Sequence, residues 1–208
     1  IWSALALLIL CLLAPVSCRA GTVPLTVSQI PWADDEELSY IVEDSAGNTI
    51  GSGTLSVERE DDTFRLVQYF ELVAEGAIIH TAVEVDATDL RPISGAQTVH
   101  TPDAVMDVIT SYSRSEVGVT ITVDGAEQSA ELDIPEDAYD NDEVLFLLRA
   151  IPLEVGYSAN YTNVVPQAGL TPKATVSVVS EEDVETPAGN LHCYHLEVKA
   201  LGITQHLW

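Results

Sequence analysis

The sequence predicts an all-β domain: a curved antiparallel sheet or half-open barrel of roughly ten strands, with one short helix. Three observations predict it. Short apolar runs alternate with period two from Leu38 onward, turn residues punctuate them about every ten positions, and only one segment changes to helical spacing.

The elements follow in order. "ELSYIVED" and "TIGSGTLSVERE" flank "SAGN", a hairpin with its turn near Gly47 and Asn48. "TFRLVQYFELV" places Phe64, Leu66, Gln68, Phe70 and Leu72 on one face, with Val67 and Tyr69 on the other. "AIIHTAVEVDATDLRPI", "GAQTVHTPDAVMDVITSYSR", "GVTITVDG" and "AEQSAELDIP" continue the meander. The period then breaks at "YDNDEVLFLLRAIPLEVG". Asp140 and Glu143 have capping-box spacing, Val144, Leu145, Leu147, Leu148 and Ile151 follow a helical face, and Pro152 stops it. A helix over residues 141–150 is expected, with Asp140, Asp142 and Glu143 complementing its dipole. Counted as an EF-hand from Asp140, the sixth and twelfth positions are Leu145 and Ile151, so that calcium pattern is absent. "SANYTNVV", "KATVSVVSEEDVETPAG", "NLHCYHLEVKA" and "ITQHLW" read as further strands.

The ends read differently. Ala4 to Leu13 is an unbroken apolar run, too short for a span of about twenty residues and suited to an export signal. Residues 1–18 are therefore expected to be an export signal of lipoprotein type. "PVSC" would make Cys18 a lipidated residue, and ordinary cleavage after Ala20 is the alternative. Residues 19–36 read as a tether and 37–208 as a single β domain, truncated because the chain stops in mid-strand at Trp208. The expected location is periplasmic or extracytoplasmic, held to the membrane by the N-terminal lipid.

Composition narrows the partners. Eight basic residues stand against 33 acidic ones, a formal net charge of −25, which repels nucleic acid and anionic headgroups. With Cys11 in the leader and Cys18 at its end, Cys193 has no disulfide partner and is expected as a small buried hydrophobe. In "NLHCYHLEV" the alternation sets His192, Tyr194, Leu196 and Val198 on one face and Cys193 and His195 on the other. Cys193 and His195, with His206 of the next strand, form the best metal hypothesis. Zinc sites want three or four ligands at recognised spacing, and the strand reading is preferred, with no metal and no cofactor. No G-x-S-x-G elbow, phosphate loop or dinucleotide fingerprint occurs, and the "GSG" at 51–53 lies within a hairpin.

"DNDEVLFLLRAIPLEVG", "VETPAGNLHCYHLEV" and "QHLW" together resemble a family of bacterial envelope proteins, the domain of unknown function 3108. Leu148, Arg149, Pro152, Leu153 and Gly156 correspond to its Leu-rich helix exit. Thr186, Pro187, Ala188, Gly189, Cys193 and Tyr194 correspond to its hairpin, and Leu207 and Trp208 to its aromatic strand. "ATDLRPISG" at 87–95 fits a further strand-turn, and the resemblance spans residues 38–208. It implies a curved antiparallel sheet in an exported protein of unknown activity, and His192 and His195 lie outside its pattern.

The expected function is non-catalytic binding of an apolar ligand such as a lipid. Its groove would be lined by Tyr69, Phe70, Tyr112, Phe146 and Leu148, beneath a helix laid across the concave sheet. A structural or assembly role through an envelope protein partner is the alternative.

Overall fold

The computed structural model describes residues 23–44 and 46–208. The expected export signal and Cys18 lie outside these residues. Eight antiparallel strands form one continuous meander: β2 (Glu37–Glu43), β3 (Thr49–Glu60), β4 (Thr63–Leu72), β5 (Ala77–Asp86), β6 (Pro92–His100), β7 (Val105–Tyr112), β8 (Glu116–Val123) and β9 (Ala126–Asp133). The first connection is the expected tight turn. Asp44 Oδ1 accepts from the Ala46 and Asn48 amides at 2.8 and 2.9 Å, and Gly47 takes a left-handed φ of 80°.

A second sheet runs β1 (Val23–Pro24), β11 (Ser158–Val164), β12 (Lys173–Thr186), β13 (Gly189–Ala200) and β14 (Ile203–Leu207). A short β10 (Ala138–Asp140) also pairs with β11. Both β1 and β10 join β11 in parallel, at Ala159–Asn160 and Thr162–Val164 respectively. The described residues form fourteen strands, more than the roughly ten expected, in part because β1 and β10 are two and three residues long and carry no periodic signal. The fold is otherwise as predicted: mostly β, with curved, unclosed sheets and one short helix. Bulges between Val42 and Glu43, Glu84 and Val85, and Val178 and Ser180 add local twist and bend to the sheets.

The main core lies between the two sheets. Leu55, Val57, Phe64, Leu66, Val83 and Val85 of the meander meet Ala159, Tyr161, Val176, Val178, Leu196 and Val198. A separate cluster of Val108, Val117, Val119, Ile134, Ala138 and Val164 fills the far end.

Two expectations change. The helix is shorter than residues 141–150: a 3-10 turn, Asn141–Glu143, leads into a single α turn, α1 (Val144–Leu147). Beyond Leu147 the Arg149 and Ala150 amides reach back only three residues, to Phe146 and Leu147 at 3.0 Å, so the coil tightens before Pro152. The stretch read as a tether is built into the domain from Val23. Leu25 and Trp32 are core residues, and the Ser28 amide donates to the Ala150 carbonyl at 2.8 Å. Trp32 stands edge-on to Phe64 and Phe146, with centroids 5.8 and 6.2 Å away. Isolated apolar residues in a polar, proline-bearing stretch give no period to read, yet each finds a pocket.

Candidate functional site

The capping box read from Asp140 and Glu143 forms as expected. Asp140 Oδ1 accepts from the Asp142 amide at 2.9 Å, and the Asp140 amide donates to Glu143 Oε1 at 2.8 Å. The sequence gives no sign that this cap is buried. Asp140 is 2% exposed and Glu143 fully enclosed, because the segment enters between the sheets. The Tyr112 hydroxyl donates to Asp140 Oδ2, Gln97 Nε2 donates to Asp142 Oδ2 at 2.8 Å, and Gln68 Nε2 donates to the Asp142 carbonyl. From the other sheet Asn163 Nδ2 donates to Asn141 Oδ1 at 2.9 Å.

Burial dominates the electrostatics. Desolvation, reinforced by the Asp142 charge, raises Asp140 to about 7 against the Tyr112 and backbone hydrogen bonds that favour its anion. Desolvation also raises Asp142, opposed by donors on Asn141 and Gln97. Glu143 rises well above the usual carboxylate range through desolvation, with the Asp140 charge adding to it. Tyr112 is raised by the same desolvation and by the neighbouring Asp140.

A groove of about 640 Å³ opens beside this segment. Tyr40, Ile41 and Val42 of β2, Leu55 of β3 and Phe70 of β4 form one wall. Leu145 and Leu148 of the helical segment, with Leu153 just beyond it, form its floor, and Tyr194 and Leu196 of β13, Leu207 of β14 and the following Trp208 close the far side. Gly53 makes this wall possible. Phe70 lies across it, with ring atoms 2.4 Å from where a Cβ would stand. Charged or basic side chains in the lining are Glu43, Arg149 and His192. Arg149 bonds Glu36 at 2.7 Å and lies over the Trp32 ring, so its charge is already met. A second concavity, about 560 Å³, mixes charged Asp89, Arg91, Arg114 and Glu136 with Tyr112, Ile93 and Ile134.

The expected groove residues therefore separate. Phe70 and Leu148 line the apolar groove. Phe146 is 1% exposed and belongs to the core beneath it, Tyr69 points out from the opposite face of β4, and Tyr112 serves the acid cluster and the second concavity. The β2 wall gives no groove signal in the sequence, where "YIV" is simply part of a strand.

The strand at His192–Val198 behaves as its alternation predicts. Leu196 and Val198 are core residues and Tyr194 packs against them. Cys193, expected as a buried hydrophobe, is instead a half-buried free thiol at the groove rim, its Sγ 3.7 Å from the Leu191 carbonyl, because its face of β13 opens on the groove rather than the core. His192 sits between Asp183 and Glu181 at 2.9 and 3.2 Å, and these hydrogen bonds raise its pKa. His195 and His206 do meet, with Nε2 and Nδ1 2.9 Å apart, and Trp208 stacks on His195. Among the described residues no three His, Cys, Asp or Glu side chains are arranged to hold a metal ion.

No curated protein and no solved structure matches the chain. The model of one family, Protein of unknown function (DUF3108), matches residues 37–206, from the first strand of the meander into β14. With nearly the whole described domain aligned, this chain is a member of the DUF3108 family.

Proposed function

We propose that this chain binds an apolar ligand, of the size and character of a lipid acyl chain, in the groove between β2 and β13, without catalysis. The observation that carries the reading is the lining. A concavity of about 640 Å³ is walled almost throughout by aliphatic and aromatic side chains, within the size range of small-molecule sites. Apolar surface on this scale, left in water, disfavours the unliganded state by an amount proportional to its area. The net charge of −25 favours a neutral or cationic occupant over an anionic one. In this proposal the protein is exported and held at the envelope membrane through a lipid on Cys18, close to a source of such ligands.

Native mass spectrometry of the protein taken gently from its own envelope tests this directly. A retained lipid-sized mass, lost in Leu145→Asn, is the expected result. A bare chain, or a mass retained equally by that variant, removes the reading.

A second reading, assembly through a protein partner, draws on the edge formed by β14. Leu201, Ile203 and Trp208 are exposed there at 69%, 64% and 57%.

A further inference from the structure

The acid cluster and the groove share one short segment. Asp140, Asp142 and Glu143 enter the cluster from its start, and Leu145, Leu148 and Arg149 wall the groove from its end. Its seat is polar. Gln68 of β4, Gln97 of β6 and Tyr112 of β7 all donate to it, and Asn163 of β11 holds Asn141.

This seat does not provide for three negative charges. Among the described residues no basic side chain bonds any of the three carboxyls. The nearest cation, Arg91, donates to the Ala138 carbonyl at 3.0 Å and lies 4.3 Å over the Tyr139 ring. The other titratable groups facing the cluster are Tyr112 of β7, Tyr139 of β10 and Tyr161 of β11, all raised by burial and therefore neutral. Glu143 Oε2 is buried with no hydrogen-bond partner, and so is Thr110 Oγ1, which lies across Gly95 from Asp140. The space among Thr81, Gly95, Gln97, Thr110, Asp140 and Asp142 is about 10 Å³, barely one water. An added anion there meets no solvent, and Arg91, whose charge lowers Glu143 against the larger effect of burial, bonds none of the three carboxyls.

We propose that this cluster gates the groove by protonation: with protons on Asp140 and Glu143 the segment stays seated and the groove formed, and ionisation in alkaline solution unseats it and weakens the hold on the ligand. The inference rests on the groove reading above. Asp140 supplies the pH range. An unfolded aspartate ionises near 3.9, whereas the folded one does so at about 7. The folded chain therefore holds an extra proton between these values, and stability falls as pH rises across that window. If the seated form requires the Asp140 proton, the competent fraction falls about tenfold between pH 6 and pH 8, and apparent affinity falls with it.

The test titrates the chain with N-phenyl-1-naphthylamine, an uncharged apolar probe, at pH 6 and pH 8. Wild type is compared with Asp140→Asn and Asp140→Ser, and amide hydrogen exchange of residues 144–150 is followed without probe, corrected for the intrinsic pH dependence. Wild type is expected to bind about tenfold more weakly at pH 8, with faster corrected exchange in that segment. Asp140→Asn is expected to abolish most of the difference. Should that variant fail to fold, Asp140→Ser, uncharged and still able to cap the segment, serves the same comparison. Equal wild-type binding at both pH values overturns the gating alone, as does a pH effect undiminished in both variants. A probe that binds at neither pH overturns the groove reading and the gating together.

Discussion

At Gly53 and Leu90 the backbone is chosen for what a neighbour needs. Gly53 has no side chain because Phe70, its cross-strand partner, occupies the space with its ring. Gly53→Ala forces that ring away from the groove wall. Overpacking of this kind costs about 1–3 kcal/mol, and the variant is expected to show that loss in urea unfolding together with weakened binding of N-phenyl-1-naphthylamine. A variant of unchanged stability and affinity would mean that Phe70 swings aside freely. Leu90 shows the opposite choice. It holds a left-handed φ of 57° inside "ATDLRPISG" and is completely buried, so burial of its side chain offsets a backbone strain of about 1–2 kcal/mol. The sequence marks that segment as a strand-turn, but the left-handed residue within it is not legible, because a leucine there gives no local hint of positive φ.

The element that governs the site is the segment from Asp140 to Pro152, with the N-terminal arm laid against it. Residues 23–32 hold this segment from behind: Ser28 bonds the Ala150 carbonyl through both its amide and its hydroxyl, and Trp32 packs against Phe146. Trp32→Ala is therefore expected to cost about 3–5 kcal/mol, the range for an aromatic residue removed from a core. Differential scanning calorimetry reads the loss. A shift under about 1 kcal/mol would show that the arm is a passive tether after all. The cap of this segment was legible because it is local: Asp140 and Glu143 are three residues apart and need only each other. Its burial was not, since Gln68, Gln97 and Tyr112 reach it from strands 28 to 74 residues earlier in the chain. The same acidic letters fit an exposed helix start and a buried cluster. Only the packing of the two sheets distinguishes them.

Across the whole molecule, strands such as β3, β4 and β5 were legible because each has one face in the core and one toward water. The division into two sheets was not, since nothing in the alternation says where a meander stops. Charge acts at this scale too. Among the described residues five basic side chains are taken up in ion pairs, Arg59–Asp34, Arg65–Glu58, Arg149–Glu36, Lys173–Asp137 and Lys199–Glu197, and the chain as a whole keeps a large excess of carboxylates. Surface pairs contribute little, about 0–1 kcal/mol each, so the net repulsion of −25 is the larger effect. Raising sodium chloride from 0.1 to 1 M shortens the screening length from about 10 Å to about 3 Å, and the melting temperature is expected to rise. A fall would show that the ion pairs outweigh the repulsion.

The parallel pairing of β1 with β11 has a consequence in time. It joins Val23 to Ala159, so the arm that clamps the groove segment has no partner strand until the chain has been made past residue 159. The meander from β2 to β9 is built from neighbouring hairpins and can form step by step as it emerges, because its loop closures are short. Leu25 lacks its β11 neighbours throughout that interval, and Trp32 has Phe64 of the meander but not yet Phe146 to pack against. A nascent chain of this protein is therefore most open to proteases and holding chaperones at residues 23–32 among those described, and becomes resistant there only when its second sheet closes.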